Sequence, residues 1–311
     1  MDSVTHTLVG VGMANAFFKR RIGAPAVTIL ALASNLPDID AIAHLSGDPT
    51  SILLRRTFGH SIFTVPIWSL VLAIILKRFY PKIKLMTLFG LVLLGASIHL
   101  FFDLVNSFGV VLLWPFYDWR PELAVIFIID LLLTGILAVP LLLYLIPSMR
   151  RQLELLSRIA LVCSLAYVIF CGANRIMARQ ALATEIDYQR NIPEFVYVFP
   201  EPLGPHRWRG VMRYGDTYKV YLIYSLSGRI ELKDEVETKK DNPYVIRVKD
   251  TDLGRRLVWF FKAPVWGIER GNPTEVNVYD LRFRSIVIGR EAPFEYKFHV
   301  YEVGRVELIG K

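Results

Sequence analysis

The residues best able to do chemistry in this sequence are histidines and aspartates that lie in or beside apolar stretches. His99 and Asp103 stand four residues apart, as do Asp2 and His6, and residues at that spacing share one face of a helix. Ionisable side chains at membrane depth are energetically expensive, so they are candidates for function. The two pairs predict that two helices contribute polar groups to a common site.

More candidates lie between and after these pairs. Pro37 favours the end of a helix and would place Asp38 and Asp40 on a turn at a membrane interface. His60 opens the next apolar stretch, and Asp130 lies within a later one. Histidine and carboxylate ligands together suit Zn²⁺, with Mn or Fe as alternatives, and an Asp can bridge two ions. The sequence therefore predicts a site for one or two divalent ions.

Each of these features also has a simpler explanation. An Asp-x-Asp run after a proline such as Pro37 is often a helix cap, and Asp130 alone could be a buried structural carboxylate. A His/Asp pair in a helix could be a proton relay of a transporter. Arg55 and Arg56 suit an anionic group such as phosphate, but they could simply meet lipid phosphates. His44 is either a neighbour of the ligands or an ordinary loop residue.

The elements that must position these residues are apolar segments. A full membrane span needs about 20 apolar residues, and only the last three stretches reach that length. We expect five or six membrane helices, with four as the minimum. The stretches cover residues 5–18, 22–36, 61–76, 85–106, 122–146 and 157–178.

Basic residues follow every second stretch and predict how the chain is oriented in the membrane. The clusters lie at 19–21, 77–84 and 150–158, and the positive-inside rule places them in the cytoplasm. With six crossings, the N-terminus and the C-terminal part lie outside. Every His/Asp candidate then falls on the outer side of the membrane, which agrees with one shared site.

Composition divides the chain into two domains. Residues 1–180 hold 15 of the 36 Lys/Arg and 9 of the 28 Asp/Glu, so the remainder has the charge density of a soluble domain. Alternating, β-branched and aromatic segments such as 218–224 and 282–288 are separated by Gly and Pro. We expect an α-helical polytopic membrane domain over 1–180 and a small, mainly-β, extracytoplasmic domain over 181–311. Seven or eight strands would form a sandwich or barrel from about residue 193.

The net charge of +8 needs no nucleic acid to explain it, because loop Lys/Arg meet anionic lipid headgroups. No basic run interleaved with aromatics occurs, so we expect no nucleic-acid partner. Cys163 and Cys171 lie in an apolar segment without a CxxC pair and are interpreted as packing residues. No Gly-x-Ser-x-Gly elbow supports a serine hydrolase.

Four motifs occur in a fixed order along residues 1–135. They are MDSVTH at 1–6, LPDID at 36–40, RTFGHS at 56–61, and the run from His99 through Asp103 to Pro115. As an ordered set they resemble the YdjM-like family, described as membrane-bound metal-dependent hydrolases, some of them LexA-regulated. That family is thought to be related to the zinc-dependent phospholipase C and nuclease superfamily, which cleaves phosphodiesters with a metal cluster.

The resemblance implies a set of site residues. Arg56 and Ser61 would contact the metal or its ligands. By its chemistry, Asp38 or Asp40 could serve as a general base if it does not bind the metal. The implied metal-binding set is His6, Asp38, Asp40, His60, His99 and Asp103. The residue pattern itself, apart from the resemblance, adds three neighbours of the site, Asp2, Arg55 and Asp130.

The resemblance also implies a reaction class, a phosphodiesterase-like or phospholipase-like hydrolase in a bacterial inner (cytoplasmic) membrane. A membrane-embedded site that faces outward suggests a lipid or lipid-linked anionic phosphoester, cleaved by metal-activated water. Two other functions stay open. A metal-stabilised scaffold or envelope-stress protein, whose β domain binds a partner, would hold metal without turnover. An ion or proton transporter would need polar residues that reach both faces of the membrane, whereas these candidates cluster on one.

Overall fold

Helices dominate the chain up to residue 189, and two β-sheets follow. In this computed structural model the described residues are 1–46, 49–189, 192–289, 291, 293–302 and 304–310, and the side chains of 43–46, 49 and 187–189 are not among them. The prediction of a helical N-terminal part followed by a mainly-β part is therefore confirmed.

Breaker and capping residues determine where the first helices begin and end. Asp2 caps the first helix by accepting the Thr5 amide at 3.0 Å. Gly23, with φ of +87°, ends the second, and Pro25 lies in the first turn of the third. The elements are α1 (Ser3–Met13), a π-helical turn (Ala14–Phe18), α2 (Lys19–Ile22), α3 (Pro25–Ala33), 3-10 segments Leu36–Ser46 and Pro49–Leu54, α4 (Val65–Phe79), α5 (Leu85–Val105), α6 (Leu131–Tyr144), a 3-10 segment Pro147–Gln152, and α7 (Leu153–Gln189).

Among the described residues, two helical segments are long and apolar enough to cross a membrane, Leu85–Val105 and Pro147–Ile186. The prediction of five or six membrane helices is wrong for the described part of the chain. The 14 residues of α6 extend about 21 Å at 1.5 Å per residue, whereas a bilayer core is about 30 Å thick. Apolar composition alone did not reveal that α2 ends at Gly23 and that α3 ends at Ala33, although the apolar stretch continues to residue 36.

Close helix contacts bring α5 against α3. A Cβ atom added at Gly95 would lie only 2.6 Å from the Ala33 Cβ, so the helices approach closely because this position has no side chain. His99 follows one turn later on α5, and its ring nitrogen Nδ1 lies 2.7 Å from the backbone oxygen of Ser34, just after α3. The helix packing thus places a predicted site residue.

Eight strands are present among the described residues, in agreement with the expected seven or eight. Each sheet is antiparallel and has four strands in sequence order. Val211 and Val220 of the first sheet share a buried core with Val265 of the second. The elements are β1 (Phe195–Pro200), β2 (Arg207–Tyr214), β3 (Thr217–Tyr224), β4 (Arg229–Glu237), α8 (Pro243–Lys249), α9 (Asp252–Phe260), β5 (Pro264–Glu269), β6 (Thr274–Asp280), β7 (Tyr296–Val300) and β8 (Val306–Gly310).

The chain divides into two compact units. One comprises Met1–Gly47 and Leu54–Cys171, and the other comprises Asp48–Leu53 and Gly172–Lys311. Every site residue discussed below belongs to the first unit.

Candidate metal centre

Three parts of the first unit bring the candidate site together. His99 and Asp103 project from α5, Asp38 and Asp40 lie on the 3-10 segment that follows α3, and His60 lies on the connection before α4. That connection passes close to the Asp-bearing turn, since a Cβ at Gly59 would be 2.1 Å from the Pro37 carbonyl oxygen. A glycine before His60 therefore permits the approach.

Three ligand-type atoms form a small triangle at the centre of the site. The Nε2 atom of His60 lies 3.1 Å from Nε2 of His99 and 3.2 Å from Oδ2 of Asp103. The third edge, from His99 Nε2 to Asp103 Oδ2, is 3.3 Å. Bonds of about 2.0–2.1 Å to a tetrahedral Zn²⁺ would place its ligand atoms about 3.3 Å apart. The triangle therefore has the dimensions of one face of such a site.

Asp38 provides a fourth candidate ligand. Its Oδ1 atom lies 3.8 Å from His60 Nε2 and 4.0 Å from His99 Nε2. The candidate ligand atoms of Asp38, His60, His99 and Asp103 all lie within 4.8 Å of one another. The cluster is therefore a candidate metal site with two nitrogen and two oxygen donors, a set that suits zinc and other hydrolytic divalent ions.

Hydrogen bonds at the outer sides of both imidazoles orient their Nε2 atoms. Nδ1 of His60 donates to Oδ2 of Asp40 at 3.0 Å, and Nδ1 of His99 donates to the Ser34 carbonyl at 2.7 Å. Both acceptors lack a hydrogen, so both Nδ1 atoms must carry one. A neutral ring then has its lone pair at Nε2, and carboxylate or carbonyl partners of this kind are usual behind metal-binding histidines.

The centre is shielded from solvent and contains three carboxylates. His60, His99, Asp40 and Asp103 are fully buried, whereas the Asp38 side chain remains 14% exposed. Burial disfavours a charged His60, but hydrogen bonds that the ring donates to Asp103 and Asp40 outweigh it and raise the pKa of the imidazole. The carboxylates thus favour a positive charge at the centre.

Asp103 is the most highly connected residue of the site. Arg56 Nε donates to its Oδ2 atom at 2.8 Å, while His6 Nε2 and Asn106 Nδ2 each lie 3.2 Å from Oδ1. The amino group of Met1 also pairs with Oδ1. These donors leave Asp103 as a fixed carboxylate with one oxygen turned toward both imidazoles.

The sequence model for YdjM inner membrane proteins matches residues 1–178, which carry the whole candidate centre. This chain belongs to the YdjM family. The resemblance found in its four motifs is thereby confirmed. YfhP, an uncharacterized protein of Bacillus subtilis strain 168, is 35% identical over 123 residues, which cover 37% of this chain and 38% of the relative. No solved structure matches this chain.

The structure of this YdjM-family chain places the other predicted site residues around the cluster or away from it. His6 stacks on His99 with ring centroids 3.6 Å apart, and its Nε2 is engaged by Asp103, so it lies beside the four-residue cluster. Asp40 lies behind His60. Arg55 Nη2 is 3.6 Å from Asp38 Oδ1, with the arginine side chain 32% exposed.

Three predicted residues have local structural partners instead. Ser61 Oγ donates to the Trp114 carbonyl at 2.6 Å. Asp2 and Asp130 cap the helices α1 and α6, and Asp130 also accepts the Tyr167 hydroxyl at 2.8 Å. The side chain of His44 lies outside the described residues.

Sequence reasoning missed two contributors in this YdjM-family site. Asn106 follows Asp103 by three residues and contacts both that carboxylate and Arg56, at 3.2 and 2.8 Å. The three-residue spacing from Asp103 could have identified Asn106 as a neighbour of that carboxylate. Ser34 contributes a backbone carbonyl, and such a contribution leaves no trace in the residue type.

Proposed function

We propose that this chain is an integral membrane metal-dependent hydrolase that cleaves a phosphoester in a lipid or lipid-linked substrate at the outer face of the membrane. The observation that carries the proposal is the convergence of His60, His99, Asp103 and Asp38 on one small volume beside Arg55. We expect one or two divalent ions, with zinc first and manganese or iron as alternatives. A divalent ion held there supplies Lewis acidity that activates water and polarises a phosphoryl oxygen.

The role of Asp38 distinguishes an open site from a closed one. Its oxygen is 3.8–4.0 Å from the imidazole nitrogens, farther than the 3.1–3.3 Å within the triangle. Catalytic zinc sites typically use three protein ligands and keep one position open. We infer that His60, His99 and Asp103 bind the ion and that the partly exposed Asp38 accepts a proton from the attacking water.

The two neighbouring arginines have different roles in this proposal. Arg56 is buried, pairs with Asp103 and donates to Asn106 Oδ1, so it holds a ligand in place. Arg55 is partly exposed and lies next to Asp38. A guanidinium in that position suits a phosphate oxygen of the substrate.

Exposed aromatic residues beside the His60 segment support a lipid substrate. Phe63 and Phe116 pack edge to face with centroids 5.1 Å apart, and both are exposed. Tyr117 and Trp119 follow and are also exposed. Aromatic side chains are enriched at membrane interfaces, so this surface suits the region where a headgroup and its acyl chains would meet the protein.

The test is metal-dependent hydrolysis by the full-length protein in detergent. The protein is depleted of metal, reloaded with Zn²⁺ or Mn²⁺, and incubated with phosphatidylglycerol, phosphatidic acid and a polyprenyl diphosphate, with products followed by mass spectrometry. We expect release of a phosphorylated or dephosphorylated product only with metal, lost in His99→Ala and Asp38→Asn. Asp216→Asn, in the turn between β2 and β3, is the matched control. Turnover that persists in metal-depleted protein would overturn the proposal.

A non-enzymatic, metal-stabilised scaffold is the second candidate. The observation that favours it is the presence of four protein donors, because structural zinc sites are closed by four protein ligands. Asp38→Asn separates the two functions. A variant that keeps its metal but loses turnover supports the hydrolase. A variant that loses metal and melts at lower temperature, together with no turnover by the wild type, supports the scaffold.

A further inference from the structure

A basic pocket lies at the other end of the α1–α2 run from the metal centre. Its volume is about 360 Å³, and Lys19, Arg20, Arg150 and Arg151 line it. From His6 to Lys19 the helical run rises roughly 20 Å at 1.5 Å per residue. The pocket is therefore separate from the cluster around Asp103, and nothing in the hydrolase proposal uses it.

The cations of this pocket are not neutralised by carboxylates. Within the described part of the chain, none of the four has an ion pair with an acidic side chain. The single acid lining the pocket, Glu154, is engaged by Arg158 at 2.6 Å. Four unpaired cations around one cavity repel one another, so an anionic ligand would stabilise them.

An aromatic ring holds two of the cations in position. The Lys19 ammonium lies 5.6 Å and the Arg150 guanidinium 5.7 Å from the centroid of Tyr144. Arg150 Nε also donates to the Tyr144 carbonyl at 3.4 Å. Because Tyr144 ends α6 and Lys19 begins α2, the pocket is formed by ends of separate helices, and the charges are arranged before any ligand binds.

One residue that lines the pocket carries a buried acceptor without a hydrogen-bond partner in the described part of the chain. Asn15 lines the cavity and is 6% exposed, and its Oδ1 atom has no hydrogen-bond partner among the described residues. It lies in the π-helical turn Ala14–Phe18, an element that is frequent at functional sites. Buried acceptors are normally satisfied, so a ligand that brings a hydroxyl donor would complete the site.

Exposed apolar residues adjoin the pocket lining in the chain. Phe17 is 49% exposed, and Leu142 and Leu145, on either side of Tyr144, are 62% and 72% exposed. A free phosphate ion would gain nothing from such neighbours, whereas acyl chains would cover them.

We propose that this pocket binds the headgroup of an anionic glycerophospholipid. The phosphodiester pairs with the arginines and Lys19, a headgroup hydroxyl donates to Asn15 Oδ1, and the acyl chains lie along the apolar surface near Phe17. Basic pockets at helix ends are suited to anionic headgroups, and each nearby cation strengthens binding. By the positive-inside rule, we expect the lipid to come from the cytoplasmic leaflet.

The test is native mass spectrometry of the full-length protein in detergent, titrated with phosphatidylglycerol or phosphatidylcholine of the same acyl composition. We expect phosphatidylglycerol adducts to form at about tenfold lower lipid concentration, and this preference to be lost in Arg150→Gln/Arg151→Gln. Arg78→Gln/Lys82→Gln removes two exposed cations, one in the last turn of α4 and one in the connection after it, and should keep the preference. Two results would contradict the proposal that this pocket binds an anionic lipid. One is equal binding of both lipids by the wild type, and the other is an equal loss of the phosphatidylglycerol preference in the two double variants.

Two further arms identify the ligand source and the role of Asn15. Glycerol 1-phosphate should compete with the lipid only at much higher concentration. If it competes equally well, the pocket binds free phosphate esters and the lipid proposal is wrong. Asn15→Ala should weaken phosphatidylglycerol binding but leave phosphatidic acid, which has no glycerol headgroup, unchanged. If Asn15→Ala weakens the binding of both lipids equally, Asn15 does not accept a hydrogen bond from the headgroup hydroxyl.

Discussion

His60 and His99 meet through their Nε2 atoms, 3.1 Å apart, while the Nδ1 atom of each ring is already engaged as a donor. Two lone pairs at that distance repel unless a positive charge lies between them. A proton on one ring would form a hydrogen bond between the two nitrogens but would not bind the nearby carboxylate oxygens. A metal ion would satisfy both nitrogens together with the oxygens of Asp103 and Asp38, which lie within the same small volume.

Removal of both imidazoles should abolish metal binding. Elemental analysis of purified, detergent-solubilised protein should show at least one equivalent of zinc, manganese or iron in the wild type. The His60→Ala/His99→Ala variant should contain none, because it loses two nitrogen donors of the proposed site.

The control for this measurement is His206→Ala, a histidine of the β-sheet unit that should leave metal content unchanged. Circular dichroism shows whether the double variant remains helical. A folded wild-type protein that purifies without metal and takes up none when zinc is added would contradict the metal centre and favour a proton between the rings.

Asp40→Asn should weaken the site without removing a ligand. Asp40 Oδ2 accepts from His60 Nδ1 at 3.0 Å and from the Thr57 amide at 3.0 Å, so it orients the ring and raises its basicity. Losses of such outer partners typically reduce metal affinity about 10–100-fold. Competition with a chromogenic chelator measures the change. Unchanged affinity would mean that Asp40 does not act through His60.

Several parts of the site could be predicted from local spacing. The four-residue interval between His99 and Asp103 placed both on one helix face, and their ligand atoms are 3.3 Å apart. Pro37 marked the turn that carries Asp38 and Asp40, and both carboxylates contact His60. Spacing could not tell that one faces His60 Nε2 and the other Nδ1, because that depends on how the turn packs against Gly59.

Other parts depend on tertiary packing and were beyond reach of the pattern. Arg55 and Arg56 are adjacent, yet one is partly exposed and the other is buried with a left-handed φ of +58°. Helix lengths were overestimated for a related reason. Mean apolar character averages over the end of α2 at Gly23 and the end of α3 at Ala33, whereas the backbone ends a helix at a single residue.

The two arginines should respond differently to the same substitution. Arg56→Gln removes one partner of a buried ion pair with Asp103, which typically costs about 3–5 kcal/mol, so metal-free protein should melt at clearly lower temperature. Arg55→Gln removes a partly exposed charge, with an expected effect of about 0–1 kcal/mol on stability. If the hydrolase proposal is correct, Arg55→Gln should instead raise the KM for a phosphoester. Equal melting temperatures of the two variants would contradict the assignment.

Gly59→Ala should separate the two halves of the metal centre. The new Cβ would lie 2.1 Å from the Pro37 carbonyl and 3.1 Å from Ile39 Cγ2, so the connection carrying His60 must move away from Asp38 and Asp40. Metal affinity should fall strongly, because ligand positions must hold within a few tenths of an ångström of tetrahedral geometry.

Gly90→Ala is the matched control. Position 90 lies on the exposed side of α5 with no atom within 4 Å of an added Cβ, and alanine there favours the helix by about 1 kcal/mol. Chelator competition on both variants provides the comparison. If Gly59→Ala binds metal as tightly as Gly90→Ala does, the close approach at Pro37 is not what holds His60 in the site.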